Sequence, residues 1–425
     1  MKPNSTPHSL PGPEDVTRAT LSNGITVMAR SNFNSPSVVV GGHLPCGSLF
    51  DPPDKLGLAD FTALALMRGT EKYNFQQLYD LLESNAASLG FSGGTHTAGF
   101  SSHALAEDLP LLLDLIAESL AHPLFPPDEI GRLRAQLMTR LAIRAQDTAE
   151  MADLTFDQII FEGHPYALPE DGWPETIQAI TRDDLAKFHA VHYGPQGMVV
   201  AIVGAVNPQR AVEEAEKHLG GWKNPNQPAP PALPELKPLE SAARRKVTIP
   251  GKAQSDLVIG AVGPTRKAPE YMAAALGNSV LGQFGLGGRI GDIVREKSGL
   301  AYYASSNLNA GVGPGSWTVG AGVNPKNVEK TIDLVVQEIR RFVRRAVSPE
   351  ELADSQSNFV GRLPLSLESN AGVMNALLSI ERYDLGLDYY RRYPVLVRAV
   401  TPAQVLETAR RYLDPDKLAI AVAGP

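Results

Sequence analysis

The 425-residue chain carries an internal repeat, and the repeat restricts its architecture more than any single motif does. Thr181-Arg-Asp-Asp-Leu185 runs through Pro195 to the apolar stretch Met198–Gly204, and Thr401-Pro-Ala-Gln-Val405 runs through Pro415 to Leu418–Gly424. Three landmarks recur at one constant offset: Thr181 and Thr401, Pro195 and Pro415, Gly204 and Gly424. Each copy opens with a helix-capping pattern, Thr181 with Asp184 and Thr401 with Pro402 and Gln404. A helix, a proline turn and a buried strand ending at glycine follow. A second echo pairs Phe125-Pro-Pro-Asp-Glu129 with Val347-Ser-Pro-Glu-Glu351, each opening a long helix. Several echoes in the same order indicate duplication.

The copies meet at Asn224–Pro238, whose proline density excludes helix and sheet interior and favours a semi-extended spacer. The expected domains are therefore 1–223 and 244–425, joined by a linker over 224–243. Early residues of each half read as strands: Gly24–Arg30, Ser37–Gly41, His96–Ala104 and Leu257–Val262. Later ones read as helices: Leu109–Leu120, Asp128–Gln146 and Val328–Val343. Strands grouped ahead of helices predict α+β sandwich domains rather than a doubly wound sheet.

Composition limits the function classes. With 39 basic and 46 acidic residues the net charge is -7, which argues against nucleic acid as partner. The one basic cluster, Arg340-Arg341-Phe342-Val343-Arg344-Arg345, reads as a solvated helix face. No run approaches the roughly 18 apolar residues of a membrane span. Met1–Val16 has no apolar core or small-residue cleavage site, so no signal peptide is expected, which favours the cytoplasm over the periplasm. Cys46 is the single cysteine and reads as a bystander thiol.

At Gly57-Leu-Ala-Asp-Phe-Thr-Ala-Leu-Ala-Leu-Met-Arg-Gly-Thr70 the chain resembles the pitrilysin, insulinase and mitochondrial processing peptidase family. That family carries Gly-Leu-Ala-His-Phe-x-Glu-His there, an inverted zincin motif with two histidine ligands and a glutamate base. Here Asp60 stands at the first histidine position, Ala63 at the glutamate and Leu64 at the second histidine. The family's third ligand is a glutamate on a later helix, expected near Thr139–Leu141, yet no glutamate occurs between Glu129 and Glu150. A catalytic zinc needs about three protein ligands. The resemblance therefore implies no zinc in this chain, and the bland reading of Leu58–Met67 is an amphipathic core helix.

Other histidines offer no alternative. His189 and His192 are three apart, but the second copy has Ala409 and Tyr412 there, so ordinary helix-surface histidines are expected. His164 matches a structural Gly-His-Pro-Tyr turn of the family, and no histidine follows the linker.

The second half keeps its own signature. Arg295-Glu-Lys-Ser-Gly-Leu-Ala-Tyr302 follows the small-residue run Gly285–Gly288 and resembles the family's C-terminal Arg-Glu-Lys-x-Gly-Leu-Ala-Tyr. The resemblance implies that Arg295 and Tyr302 bind substrate opposite a partner's zinc. The competing reading pairs Arg295 with Glu296 or another surface acid and has Tyr302 cap the core. The Gly285–Gly288 loop lacks the lysine and hydroxyl of a phosphate loop and is expected to admit a substrate or partner backbone. The family also implies edge-strand peptide binding, for which Ser92-Gly-Gly-Thr95 is the candidate. The implied function is a zinc-less subunit of a heterodimeric zinc peptidase. It would hold peptide or unfolded-protein substrate and work with a homologous zinc-bearing subunit. A structural or assembly subunit and a peptide-binding pseudopeptidase are the alternatives.

Overall fold

The computed structural model describes residues 10–283 and 287–425, and the chain folds as two compact units. Unit 1 comprises residues up to 141, 169–232 and 363–392; unit 2 comprises 142–168, 233–362 and 393–425.

Unit 1 is built on a six-stranded sheet: β1 (Thr17–Thr20), β2 (Thr26–Ser31), β3 (Ser37–Leu44), β4 (Ser88–Gly93), β5 (Ala98–Leu105) and β6 (Val199–Gly204). Their order is β1-β2-β6-β3-β5-β4. Among the described residues of this sheet only β2 and β6 pair in parallel. One face buries the helices Leu58–Ala65, Leu109–Ala121, Pro127–Arg144, Arg182–His192 and Pro208–Leu219 in a continuous apolar core. The other face receives the helix Asn370–Arg382, which lies on β6 and β3. Gly41 permits that approach, since a β-carbon there would sit 2.5 Å from the Met374 sulfur.

Unit 2 repeats the topology without the first strand: β7 (Ala243–Thr248), β8 (Ser255–Val262), β9 (Ala301–Asn309), β10 (Ser316–Val323) and β11 (Ala419–Gly424). The order is β7-β11-β8-β10-β9, again with one parallel pair, β7 and β11. Helices Tyr271–Asn278, Val328–Phe342, Pro349–Ser366 and Pro402–Tyr412 cover one face around Trp317. The helix Thr148–Ile160 covers the other, with Phe156 and Ile159 packed beside Val258, Ala421 and Ala423.

The sandwich is α+β, as the strand and helix patterns predict. The repeat is visible in detail. Thr181 accepts from the Asp184 amide and Thr401 from the Gln404 amide, each closing a capping box. The units differ from the contiguous division 1–223 and 244–425 in two segments: 142–168 belongs with the second sheet and 363–392 with the first. Each sheet has two apolar faces to cover, and each draws the helix for its second face from the other half of the sequence. Asn224 anchors the start of the linker by donating to the carbonyls of Ala190, Val191 and Tyr193. Gln227 exchanges two hydrogen bonds with the Gln196 backbone, and residues 227–240 carry no helix or strand. One expectation needs correction. The 340–345 cluster is not a single helix face, because the helix ends at Phe342 and buries that ring, with Arg344 and Arg345 in the turn beyond.

Candidate functional site

Helix Leu58–Ala65 carries the degenerate motif. Asp60 is 8% exposed, Ala63 is fully buried and Leu64 packs against the core. Asp60 is already engaged: its Oδ2 accepts from Arg140 Nη2 at 2.7 Å, and its Oδ1 accepts from the Gly93 amide at 3.1 Å. Burial raises the Asp60 pKa, and the Arg140 hydrogen bond and charge oppose that rise. Arg140 lies in the stretch where the third ligand was expected. It also reaches Asp171, at 3.9 Å.

A zinc ion does not fit these residues. Alanine and leucine have no lone pair to donate, and the one carboxylate is neutralised by a guanidinium that would repel a cation. Among the described residues no cluster of three or more His, Cys, Asp or Glu side chains could hold a metal. The ion pair cross-ties the Leu58–Ala65 helix, the Pro127–Arg144 helix and the end of β4. The fit at β4 is tight: a β-carbon on Gly93 would lie 2.4 Å from the Asp60 Cα. Sequence reasoning missed Arg140 as a partner, although the arginine stood in the window searched for a glutamate.

The histidines serve structure. His189 Nε2 bonds the Leu120 carbonyl at 2.8 Å, and His192 packs on Phe50 and Phe188. Both are partly buried rather than surface side chains, because the apolar side of their helix faces the core. His164 is 4% exposed, and its Nδ1 accepts from the Tyr166 amide across the turn. Cys46 is fully buried, and desolvation pushes its thiol up to about 12. A thiol held protonated is a poor nucleophile.

In unit 2 the Arg295 segment is clamped from below. Arg289 Nε and Nη2 each meet the Glu351 carboxylate at 2.8 Å, a two-pronged contact, and Nη1 lies 3.5 Å from the buried Glu338. The helix that follows, Asp292–Lys297, ends at Gly299, which takes φ of 60°. The Gly299 amide donates to the Arg295 carbonyl at 3.0 Å, the left-handed stop that Ser298-Gly299 predicts. Arg295 is exposed in the last turn.

Tyr302 sits on a β-bulge. Tyr303 pairs with Gly322 and Ala301 with Val323, which leaves Tyr302 without a partner residue on β10. Bulges re-aim side chains and recur beside active sites. Tyr302 is 64% exposed, whereas its neighbour Tyr303 donates to Asp256 at 2.7 Å. Thr148 and Gln254 also donate to this buried carboxylate. Tyr303 thus pins β9 while Tyr302 stays available. Neither the Arg295 guanidinium nor the Tyr302 hydroxyl has a hydrogen-bond or ion-pair partner among the described residues. Gly285 of the preceding small-residue run lies outside the described residues.

The first sheet has edge strands β1 and β4, and in β4 Ser88, Gly90 and Ser92 are exposed while Leu89 and Phe91 are buried. The Ser92–Thr95 candidate covers the end of this strand and the turn after it.

Sequence comparison assigns both halves to one family. The model described as Insulinase (Peptidase family M16) matches residues 26–165, and that described as Peptidase M16 inactive domain matches 179–359. The chain belongs to peptidase family M16, the pitrilysin family. An uncharacterized zinc protease of Streptomyces coelicolor is 24% identical over 367 residues, covering 85% of this chain and 79% of that protein. A human mitochondrial cytochrome b-c1 complex subunit 1 is 27% identical, over 62% of this chain and 55% of that one. The crystal structure of a peptidase M16 inactive domain from Pseudomonas fluorescens superposes with a TM-score of 0.90 at 25% identity. That match covers 96% of this chain and 98% of the other. No helix among the described residues is long and apolar enough to cross a membrane.

Proposed function

We propose that this M16 chain is the zinc-less subunit of a two-chain zinc peptidase. It would supply Arg295 and Tyr302 to a partner that carries the intact zinc motif. The observation that carries this reading is the pair itself, exposed and unpaired on either side of the Gly299 stop, with the tyrosine lifted out of register by a bulge. A tyrosine hydroxyl and a guanidinium fork are both hydrogen-bond donors. They suit a peptide carbonyl whose oxygen becomes negative when water adds to it. Residues 57–70 contribute packing instead, and peptide or unfolded-protein substrate would add to a free sheet edge such as β4.

The test is the mixed complex with a zinc-bearing M16 subunit. Tyr302→Phe should leave assembly unchanged on size-exclusion chromatography and lower peptide turnover about 10²–10³-fold. Full turnover by an assembled complex containing that variant would sink the assignment.

A structural subunit is the second reading, motivated by the match to cytochrome b-c1 complex subunit 1. A scaffold has no use for an unpaired arginine and tyrosine, so the same variant separates the two. A chain that binds peptide alone, and that no partner stimulates to cleave, would be a peptide-binding pseudopeptidase.

A further inference from the structure

The helix Asn370–Arg382 packs chiefly on β6 and β3, and beside it the β5 and β4 side of that sheet face is open as a cleft. The strand register sets out its floor. His43, Gly99 and Ser92 form one row across β3, β5 and β4, and Gly41, Ser101 and Gly90 form the next. Small residues on the outer two strands leave a cleft of about 670 Å³ between the free edge and the helix, with Asn375, Leu378, Ser379 and Arg382 on the helix side.

The charge content of this cleft is unusual. Arg382 is the only lining residue, among those described, with a permanent charge. It is partly buried, its Nε is buried without a hydrogen-bond partner, and no carboxylate pairs with it among the described residues. Its one ring contact is Tyr383, 5.9 Å from the guanidinium carbon to the ring centre. The neighbouring Glu381 is committed elsewhere, in a two-pronged contact with Arg18 at 2.6 and 3.0 Å. His43 stays neutral: burial first, and the Arg382 charge second, lower its pKa to about 4. Both of its ring nitrogens are buried and unbonded. A partly buried arginine normally finds an anion, because its five donors are costly to leave idle.

We propose that this cleft binds an extended peptide segment and that Arg382 selects a carboxylate on it. The backbone of β4 supplies strand pairing, the Gly/Ser floor admits side chains or main chain at close range, and the guanidinium fixes the register by a two-pronged contact. The inference rests on the edge-strand part of the proposed function and adds to it the chemistry of the selected group. A C-terminal carboxylate and an Asp or Glu side chain present the same fork.

The experiment is fluorescence anisotropy on the full chain with a labelled ten-residue peptide. Its four forms are free acid, C-terminal amide, amide with one internal Asp, and amide with that Asp as Asn. The free acid or the Asp peptide should bind about tenfold or more tightly than its uncharged counterpart, and which one does identifies the source of the carboxylate. Arg382→Gln should abolish that difference and Arg382→Lys should restore part of it. The wild-type comparison needs no variant, so a misfolded mutant would not blunt the test. Equal binding of all four peptides would overturn the role of Arg382 and leave edge-strand binding standing. Absence of binding by every peptide would overturn both.

Discussion

Removing Arg140 is the most revealing perturbation of the first unit. Among the described residues its guanidinium is the only cation bonded to Asp60, whose side chain is 12% exposed, while that of Arg140 is 47% exposed. Breaking a fully buried pair costs about 3–5 kcal/mol, because the remaining charge is stranded. Two features reduce that here. The exposed half of Arg140 is screened by water, and the Gly93 amide still serves one Asp60 oxygen. Arg140→Ala should therefore cost about 1–3 kcal/mol at pH 8, or a Tm about 2–12 °C lower for a unit of this size.

The pH dependence has a defined sign. Burial already holds the Asp60 pKa above its ordinary value, and without Arg140 it rises further. A raised folded pKa means that stability is full below the unfolded value, about 3.9, and falls as pH climbs through the folded one. The loss caused by Arg140→Ala should thus shrink on going from pH 8 to pH 5. Chemical denaturation at both pH values, with Asp60→Ala/Arg140→Ala as control, measures this. The double variant should be more stable than Arg140→Ala at pH 8, since no charge is left stranded. A cost below about 0.5 kcal/mol at pH 8, or one independent of pH, would refute the ion pair as what holds this site closed.

Other expectations concern the same structural features. Gly93→Ala forces a β-carbon onto the Asp60 backbone and should destabilise unit 1 by about 1–3 kcal/mol, read by denaturant melts; an unchanged midpoint would show that β4 can shift freely. The Arg289 contact holds the Glu351 carboxyl down at about 2. That stability is present above the unfolded Glu value, about 4.3, and is lost as pH falls toward 2. Glu351→Gln should accordingly flatten the acid limb of unit 2 unfolding between those values, and an unaltered limb would count against the clamp. Excess chelator should leave the Tm of the isolated chain unchanged, and a chelator-induced drop would reveal a metal site that the residues at 57–70 do not supply.

Much of this architecture is legible in the sequence because it rests on local rules. The capping boxes at Thr181 and Thr401, the glycine stop at Gly299 and the apolar runs of β6 and β11 depend on neighbours a few residues away. A one-dimensional pattern can hold such information. The family resemblance rests on equally local strings, residues 57–70 and 295–302. The loss of zinc ligands needs no coordinates either, because leucine and alanine donate no lone pair in any fold.

Tertiary structure decided whatever joins distant segments. Arg140 bonds Asp60 across 80 residues, and neither side chain announces the other. The bulge at Tyr302 depends on the register of β9 against β10, which the sequence of one strand does not contain. The exchange of helices 148–160 and 370–382 between the two sheets follows from which apolar faces remain uncovered once each sheet has formed. The same is true of Arg382, an ordinary helix arginine in the sequence. Only the packing of its helix on β6 and β3 leaves it unpaired beside a free strand edge.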